Sequence, residues 1–598
     1  MKNKNFFLVT SSIKSLFPEK NVKTLLLGEW CKTNINNDFL SKYNTEIVPY
    51  HWDNEKKRAK DNKYIMSIYR KISIDLVKIL NDVHNTNFSK KYWQQIVGPW
   101  LHHFTYIAYD KYCLVRLLKK YKLVGTRCIK ISNDEHIPQD YTDSIRLFQS
   151  DLWNNYIFSF FIRKFYPKLK IYQVKNNLEK TVIKKNFSYK DNLKKIISFL
   201  SNLIRNEKEI FVLNSYLKTF QEILLQIKLN RAIKINANID YKKKFKLNEK
   251  LRSSMIKKKS DKKFYLILKE LVMKNIPTFY LEGYNELAKF SNSLPWPKKP
   301  PIIFTSNNDI SDDVFKFWLA KKRENNIPLV VGQHGGGWLI PKYFGIQDWQ
   351  INNSDKVLFW GKKKFKNSKI IPLFNLKNAK NILKKKSFGG EINIIQEFPA
   401  RYAMKIYSTE ISFSGVKKKI EFEYKFIKNL KSEILKKVKI RLGAGIGHYG
   451  GEVNYEKMAW RNHDPNLKLE SRLFPIKKSI QDSRIVICTS IHSTLFLECI
   501  SSDIPCFLFV DYDKNCISKE CQTDLNNLRK IGILQENPEK FSNFINKYLN
   551  NIEFWWNSKK VRYEVNKFRE KYCSIENKPI IKLSKVLKQN FKLETHNI

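Results

Sequence analysis

Ile485-Val486-Ile487-Cys488-Thr489-Ser490-Ile491-His492-Ser493-Thr494-Leu495-Phe496-Leu497-Glu498 is the stretch whose reading decides the fold. Four apolar residues predict a buried strand over 484–488, a polar turn follows, and an apolar helix over 493–501 leads away from it. Asp503-Ile504-Pro505 then opens the next strand, 505–510. Ser493 or Thr494 is placed to cap the helix and to offer hydroxyls and backbone N–H groups to a phosphate. Glu498 falls one turn later on the same face, where a carboxylate can accept both hydroxyls of a ribose. A bare S/T-x-x-x-E pattern is usually an ordinary cap with a solvated acid. Its place at the carboxyl end of a strand, where open α/β sheets bind ligands, favours a nucleotide contact by Thr489, Ser490, Ser493, Thr494 and Glu498.

The same rhythm extends outward from this stretch. Upstream lie a strand at 391–396, a helix within 416–437, a strand at 437–442 and a helix at 475–482. Earlier still, Ile302-Ile303-Phe304-Thr305 reads as a strand ending in Ser306-Asn307-Asn308-Asp309, and Asp312 and Asp313 open a helix from Val314 to Arg323. Leu329-Val330-Val331 is the next strand and Val357-Leu358-Phe359-Trp360 a third, with a Lys-rich linker over 362–390. Alternating strands and helices predict parallel sheets in two tandem α/β domains, 1–375 and 376–598. In the first half, residues 22–27 read as a strand ending at Gly28, with Glu29, Trp30 and Cys31 beyond it. The spacing over 63–122 is helical, with a break at Gly98-Pro99. The stretch 165–275 reads as a Lys-rich helical insertion with strand-like pieces at 210–213 and 235–239.

Gly332-Gln333-His334-Gly335-Gly336-Gly337 follows a buried strand, and three consecutive glycines permit positive φ and close approach of a ligand. A structural turn is the plainer reading, yet Gln333 and His334 add two polar side chains at that point. His-Gly-Gly-Gly also occurs in hydrolase oxyanion loops, but no Gly-x-Ser-x-Gly elbow follows it here. Asp309, Asp312 and Asp313 occupy the preceding turn; one of them is a helix cap, and another is available as a catalytic base or nucleophile. Arg401 and Arg441 follow strands of the second half and suit a phosphate or carboxylate by geometry. His448, Arg461, His463 and Asp464 form a further polar group near a Gly-rich loop.

With 598 residues, 42% hydrophobic and 14% aromatic, the chain can build several cores and is not a disordered protein. Its formal charge of +54 is spread along the chain, as in Lys257-Lys258-Lys259 and Lys384-Lys385-Lys386, and Lys, Asn and Ile crowd even the strands. Codon bias accounts for much of it. With no zinc-finger spacing or RNP-type segment, nucleic acid is not the expected partner; a basic face near an anionic bilayer fits the distribution. The nine cysteines include no CxxC pair, which predicts reduced, buried thiols in a cytoplasmic protein. The apolar stretch at the start is too short for a signal peptide, and no apolar run is long enough to span a bilayer. No metal site is expected, since Asp511-Tyr512-Asp513 lies away from the candidate strand ends.

Several segments together resemble one family: Leu27-Gly28-Glu29-Trp30-Cys31, Trp52-Asp53, Tyr92-Trp93 with Gly98-Pro99-Trp100-Leu101, Tyr109-Asp110-Lys111-Tyr112, Asp312-Asp313-Val314-Phe315-Lys316-Phe317-Trp318, Gly332-Gln333-His334-Gly335-Gly336, Ser354-Asp355-Lys356, Ser493-Thr494 with Leu497-Glu498, and Trp555-Trp556. They resemble bacterial transferases of O-antigen and other surface-polysaccharide loci, which are distantly similar to retaining β-Kdo glycosyltransferases. The resemblance implies a GT-B-like fold, two Rossmann-like domains facing a central cleft with a helical elaboration in the N-terminal half. It also implies a CMP-activated acidic sugar as donor, Kdo or a similar 2-keto acid, no further cofactor, and a glycan or lipid-linked acceptor. Asp312 is then the nucleophile and His334 a donor contact. Ser493, Thr494 and Glu498 hold the CMP moiety, and Glu29, Gln333, Gly335, Gly336, Arg401 and Arg441 line the substrate. Gln94, Gln347 and Gln350 depart from the family pattern. Polyol-phosphate transfer of the CDP-glycerol type, or a non-catalytic scaffold of polysaccharide assembly, are the rival readings.

Overall fold

The computed structural model describes residues 5–33, 35–175, 209–229, 231–256, 263–343, 345–379, 390–397, 400–406, 414–443, 454–512 and 516–591. Their sixteen strands form three sheets in which the paired strands run parallel. The first sheet has the order β3-β2-β1-β4-β5, from β1 (Asn5–Val9), β2 (Thr24–Leu26), β3 (Thr45–Ile47), β4 (Lys122–Ile129) and β5 (Ile171–Val174). The second runs β10-β9-β8-β7-β6, from β6 (Phe211–Val212), β7 (Ile303–Thr305), β8 (Leu329–Gly332), β9 (Lys356–Phe359) and β10 (Ile370–Pro372). The third is β13-β12-β11-β14-β15-β16, from β11 (Glu391–Ile395), β12 (Val438–Arg441), β13 (Lys468–Glu470), β14 (Ser483–Cys488), β15 (Cys506–Phe509) and β16 (Leu534–Gln535).

The α/β class with parallel sheets is therefore as expected, and the strands and helices expected between 301 and 510 are present within a residue or two, except that the helix expected within 416–437 is two, Ser414–Lys428 and Ser432–Leu435. The first and third sheets reverse strand order between their first and fourth strands, the arrangement of dinucleotide-binding sheets. The first half contains two sheets where the two-domain expectation provides for one. The short apolar run at 5–9, weighed above only as a leader, is the central strand of the first. The supposed linker over 362–390 contributes β10, while its residues 380–389 lie outside the described residues, as do 176–208 of the expected insertion. The piece at 235–239 forms no strand; Asn236 instead donates its side-chain amide to Val212 O at 2.8 Å, bracing the edge of β6.

Burial explains the strand sequences. In β14, Val486 and Cys488 face a core shared by all three sheets, while Ile485 and Ile487 face a second core confined to the outer side of the third sheet. Both faces are covered, so the strand reads as a continuous apolar run. All nine cysteines are free thiols, and eight of them are buried. Among the described residues no helix is long and apolar enough to cross a membrane.

The expected break at Gly98-Pro99 is absent. Two long helices, α1 (Glu55–His84) and α2 (Lys90–Leu117), are separated instead at Asn85, which adopts a left-handed φ of 50°. Pro99 sits inside α2, whose central residues 92–111 are nearly all buried; tertiary packing on both sides offsets the missing hydrogen bond. Gly98 has a packing role. A Cβ there would stand 2.9 Å from the indole of Trp349, whose Nε1 donates to Tyr69 Oη at 2.9 Å. Overpacking at such a site costs about 1–3 kcal/mol, so Gly98→Val should lower the urea unfolding midpoint with an unchanged slope. A midpoint equal to wild type would show that the indole can yield.

Candidate functional site

The carboxyl ends of β11 and β14 lie side by side where the strand order of the third sheet reverses, the position at which open α/β sheets bind ligands. Thr489 locks the start of the turn there: its N–H and its Oγ1 both donate to Ile395 O, at 3.3 and 3.1 Å. Ser490 Oγ accepts from the His492 amide at 3.2 Å. The helix that follows spans Thr494–Ser501 with Ser493 as its cap, the serine Oγ accepting from Phe496 N at 3.3 Å. Glu498, one turn on, pairs with Lys377 at 2.5 Å. That lysine sits in a short 3-10 turn, Leu376–Asn378, just beyond β10, so the pair joins the second and third sheets.

The glycine loop after β8 meets this helix end directly. Gly336 N–H donates to Thr494 Oγ1 at 2.7 Å. A Cβ on Gly336 would come within 2.5 Å of Ser493 O, and one on Gly335 within 3.2 Å of Thr494 Oγ1. Of the three consecutive glycines only Gly337 has a left-handed φ, 77°; Gly335 and Gly336 are there for close approach. Gln333 pins the loop, accepting from Trp360 N at 2.9 Å and donating to Gly335 O at 2.8 Å. Its amide is thus committed within the protein.

His334 Nδ1 lies 2.9 Å from Ser306 O. A carbonyl only accepts, so Nδ1 carries the proton and Nε2 presents a lone pair. Burial pushes this imidazole down to about 4, against the opposing pull of Ser306 O, so it is neutral near pH 7. The Tyr216 ring stacks beside it at 6.4 Å. Tyr216 itself holds a left-handed φ of 66°, uncommon for a bulky residue and typical of positions fixed by their surroundings.

Because β7 and β8 are neighbours, the acids after β7 share an edge with His334, and the structure separates their roles. Asp313 is bound on all sides, by Lys316 at 2.6 Å, Tyr280 Oη at 2.7 Å and Tyr141 N at 2.7 Å. Asp309 is buried, and both its oxygens accept from the Gln350 amide at 3.0 and 3.1 Å. Asp312 is half-buried and caps the helix Asp313–Glu324, accepting from Phe315 N at 3.0 Å and from Asn308 Nδ2 at 3.1 Å. Burial raises the carboxyls of Asp309 and Asp312 to about 7. Asp312 is the most accessible of the three. Gln350, one of the departures from the family pattern, therefore touches the cluster.

The remaining expected contacts lie apart. Glu29 opens a 3-10 turn beyond β2 and pairs with Lys32 at 3.4 Å. Arg401 pairs at 2.6 Å with Asp151 of the helix Asp151–Phe165, which packs on the first sheet. Arg441 pairs with Glu470 at 2.7 Å and donates to the carbonyls of Arg472 and Phe474 at 2.9 and 2.7 Å. Both guanidinium groups thus hold protein partners in this structure. His463 stacks on Tyr424 with ring centres 4.7 Å apart, Arg461 donates to Pro465 O, and Asp464 accepts from Asn466 N at 2.8 Å; His448 lies outside the described residues.

Sequence reasoning passed over Tyr216, Lys377 and Lys405. Lys405 is buried, its stem packed so tightly that a Cβ on Gly345 would stand 2.5 Å from its Cδ. Burial lowers its ammonium to about 8, against the pull of Asp348. The same charge helps to depress His102 and His492, each held down to about 3 chiefly by burial. Nothing in a chain of 110 Lys and Arg residues marks these two lysines out. Among the described residues one group, His51, Asp61 and Cys113, brings potential metal-ligand atoms within 4.8 Å of one another. Lys57 pairs with Asp61 and lies 3.9 Å from Cys113 Sγ, so a cation of the chain itself already stands there.

The chain belongs to the LIC12162 family of transferases, whose family profile matches residues 6–587. No curated protein matches it. Among solved structures it is similar to MurG of Acinetobacter baumannii, at 11% identity over 64% of this chain and 100% of that one, with a TM-score of 0.30. It is also similar to a mutant O-GlcNAc transferase of Thermobaculum terrenum, at 9% identity over 89% and 98% of the two chains, TM-score 0.34. The wall teichoic acid polymerase TagF aligns at 11% identity over 52% and 84%, TM-score 0.27. Likeness at this level assigns neither substrate nor mechanism.

The raised Asp309 carboxyl has a consequence for stability. The folded protein holds that proton more tightly than the unfolded chain, so stability falls as pH rises from about 4 through 7 and levels off above. Asp309→Asn keeps an acceptor for Gln350 and removes the ionisation. It should exceed wild type by roughly 4 kcal/mol at pH 8 and by less than about 1 kcal/mol at pH 4. Urea unfolding at the two pH values checks this, and a pH-independent difference would contradict it.

Proposed function

We propose that this member of the LIC12162 family transfers a sugar from a nucleotide-activated donor to a glycan or lipid-linked acceptor in the assembly of bacterial surface polysaccharide. The donor is a CMP-activated acidic sugar, Kdo or a similar 2-keto acid. The acceptor is met at the inner face of the cytoplasmic membrane, which the enzyme touches as a peripheral protein. What chiefly supports this reading is the meeting of the His334-Gly335-Gly336 loop with the cap of Thr494–Ser501. It puts the N-terminal end of a helix, where a phosphate can be received, opposite the strand edge that carries Asp312 and His334.

In this reading the N-terminus of the Thr494–Ser501 helix faces the CMP phosphate, with Lys377 close by, and Glu498 takes the ribose. The reaction so drawn uses no cofactor beyond the activated sugar. Asp312 attacks the anomeric carbon as its bond to the phosphate oxygen breaks, giving a glycosyl ester and free CMP. An acceptor hydroxyl then attacks the same carbon from the face CMP has left. Its proton passes to Nε2 of His334, the Asp312 ester bond breaks, and the carboxylate is restored with net retention. The neutral imidazole suits this role, since its free nitrogen is an acceptor. Asp312, which burial holds near pH 7, would react in its ionised form, so the rate should rise with pH through about 7.

Intact-mass analysis after incubation with CMP-Kdo in the absence of acceptor tests the reading. A sugar-sized adduct is expected on wild type and on Asp309→Ala, and none on Asp312→Ala. CMP released to an acceptor with no dependence on Asp312 would exclude the double displacement. A product holding glycerol phosphate and no glycosidic bond would assign the chain to polyol-phosphate transfer.

A further inference from the structure

The turn beyond β13 shows two large apolar side chains to solvent. Leu473 is 80% exposed and Phe474 43% exposed. Isolated apolar residues at a surface are ordinary, but here the display is built. Arg441, itself buried, donates to the carbonyls on either side of Leu473, those of Arg472 and Phe474. Within the turn, Leu473 N donates to Ser471 Oγ at 3.2 Å and Phe474 N to Ser471 O at 3.1 Å. Pro475 then leads into the short helix Ile476–Gln481, which anchors the far side through buried Ser479 and Ile480. The backbone is thus fixed in the form that points both apolar side chains outward.

The turn's own sequence is basic. Arg472, Lys477 and Lys478 flank the two apolar residues, and no acidic residue occurs from 471 to 481. The nearest acid before the turn, Glu470, is neutralised by Lys439 at 3.0 Å and Arg441 at 2.7 Å. An acidic protein or a nucleic acid would meet the charges and gain little from Leu473 and Phe474. An anionic bilayer surface satisfies both, with headgroups against the lysines and the apolar tips in the acyl boundary.

We infer that the turn 471–478 is a membrane-contact surface that docks onto anionic phospholipid. It shares the carboxyl edge of the third sheet with Thr489, so docking there turns the mouth of the candidate cleft toward the bilayer. The inference rests on the membrane side of the proposed function and on none of its chemistry.

The test is flotation of the full-length protein with vesicles of phosphatidylglycerol and phosphatidylethanolamine, and with vesicles of phosphatidylcholine alone. Wild type should float with the anionic vesicles, less so as salt rises. The double variant Leu473→Ser/Phe474→Ser should bind roughly tenfold more weakly, as should Lys477→Glu/Lys478→Glu. Phe554→Ser, which removes a side chain 84% exposed elsewhere, should bind as wild type does. Equal thermal unfolding of the variants shows that they fold. Vesicle binding unchanged in both double variants, lost only in Phe554→Ser, or absent from wild type would overturn the inference. So would loss in the double variants of binding to a DNA oligomer while no vesicle is bound. Because no turnover is read, failure here is distinct from failure of the glycosyl-transfer reading.

Discussion

One hydrogen bond ties the halves of this molecule together at its candidate site: the Gly336 amide to the Thr494 hydroxyl, 2.7 Å long. It exists because two backbones come closer than any side chain permits. A single methyl group on Gly336 would meet the Ser493 carbonyl at 2.5 Å. The loop that ends β8 is therefore pressed onto the helix end that follows β14, and the carboxyl edges of the second and third sheets face each other across it. The Lys377–Glu498 pair repeats the same junction a turn away. Beyond β11, Arg401 forms a partly buried pair with Asp151 of the helix Asp151–Phe165, beside the first sheet.

This closeness sets the chemistry. The ionisable groups here respond as desolvated groups do: His334 stays neutral with one nitrogen committed to Ser306 O, while burial raises the carboxyls of Asp309 and Asp312 to about 7. Two carboxyls in one turn thus share a shifted range but differ in access, since Gln350 closes over Asp309 and leaves Asp312 at the half-buried helix cap. Titratable groups drawn toward the working pH within one crevice are a mark of functional sites, and the capped helix end opposite supplies the complementary positive potential. The proposed transfer joins these two facts.

Much of this was legible in the sequence because it is local. Val486, Ile487 and Cys488 announce a buried strand, and caps were expected at Ser493 or Thr494 and at one of Asp309, Asp312 and Asp313; Ser493 and Asp312 make them. What was not legible depends on partners far away in the chain. Pro99 suggested a break, but the packing around α2 holds the helix through it. Arg401 and Arg441 stood at strand ends like ligand residues, yet Asp151, Glu470 and two backbone carbonyls engage them. Lys377 and Lys405 were indistinguishable from their many neighbours of the same type until burial and pairing singled them out. The glycines were recognised, but only one uses its conformational freedom; the others serve a contact with residues more than a hundred and fifty positions downstream. The first sheet was largely missed, because β4 mixes Lys, Gly, Thr and Arg with its apolar residues.

The Gly336–Thr494 contact holds the two sheets together at the site. A double-mutant cycle on unfolding stability, with Gly336→Ala, Thr494→Val and the pair, measures it directly. Residues in direct contact are coupled, and a coupling of about 1 kcal/mol or more between the two substitutions is expected. Effects that add to within about 0.3 kcal/mol would contradict it, and the two sheets would then owe their juxtaposition to something else.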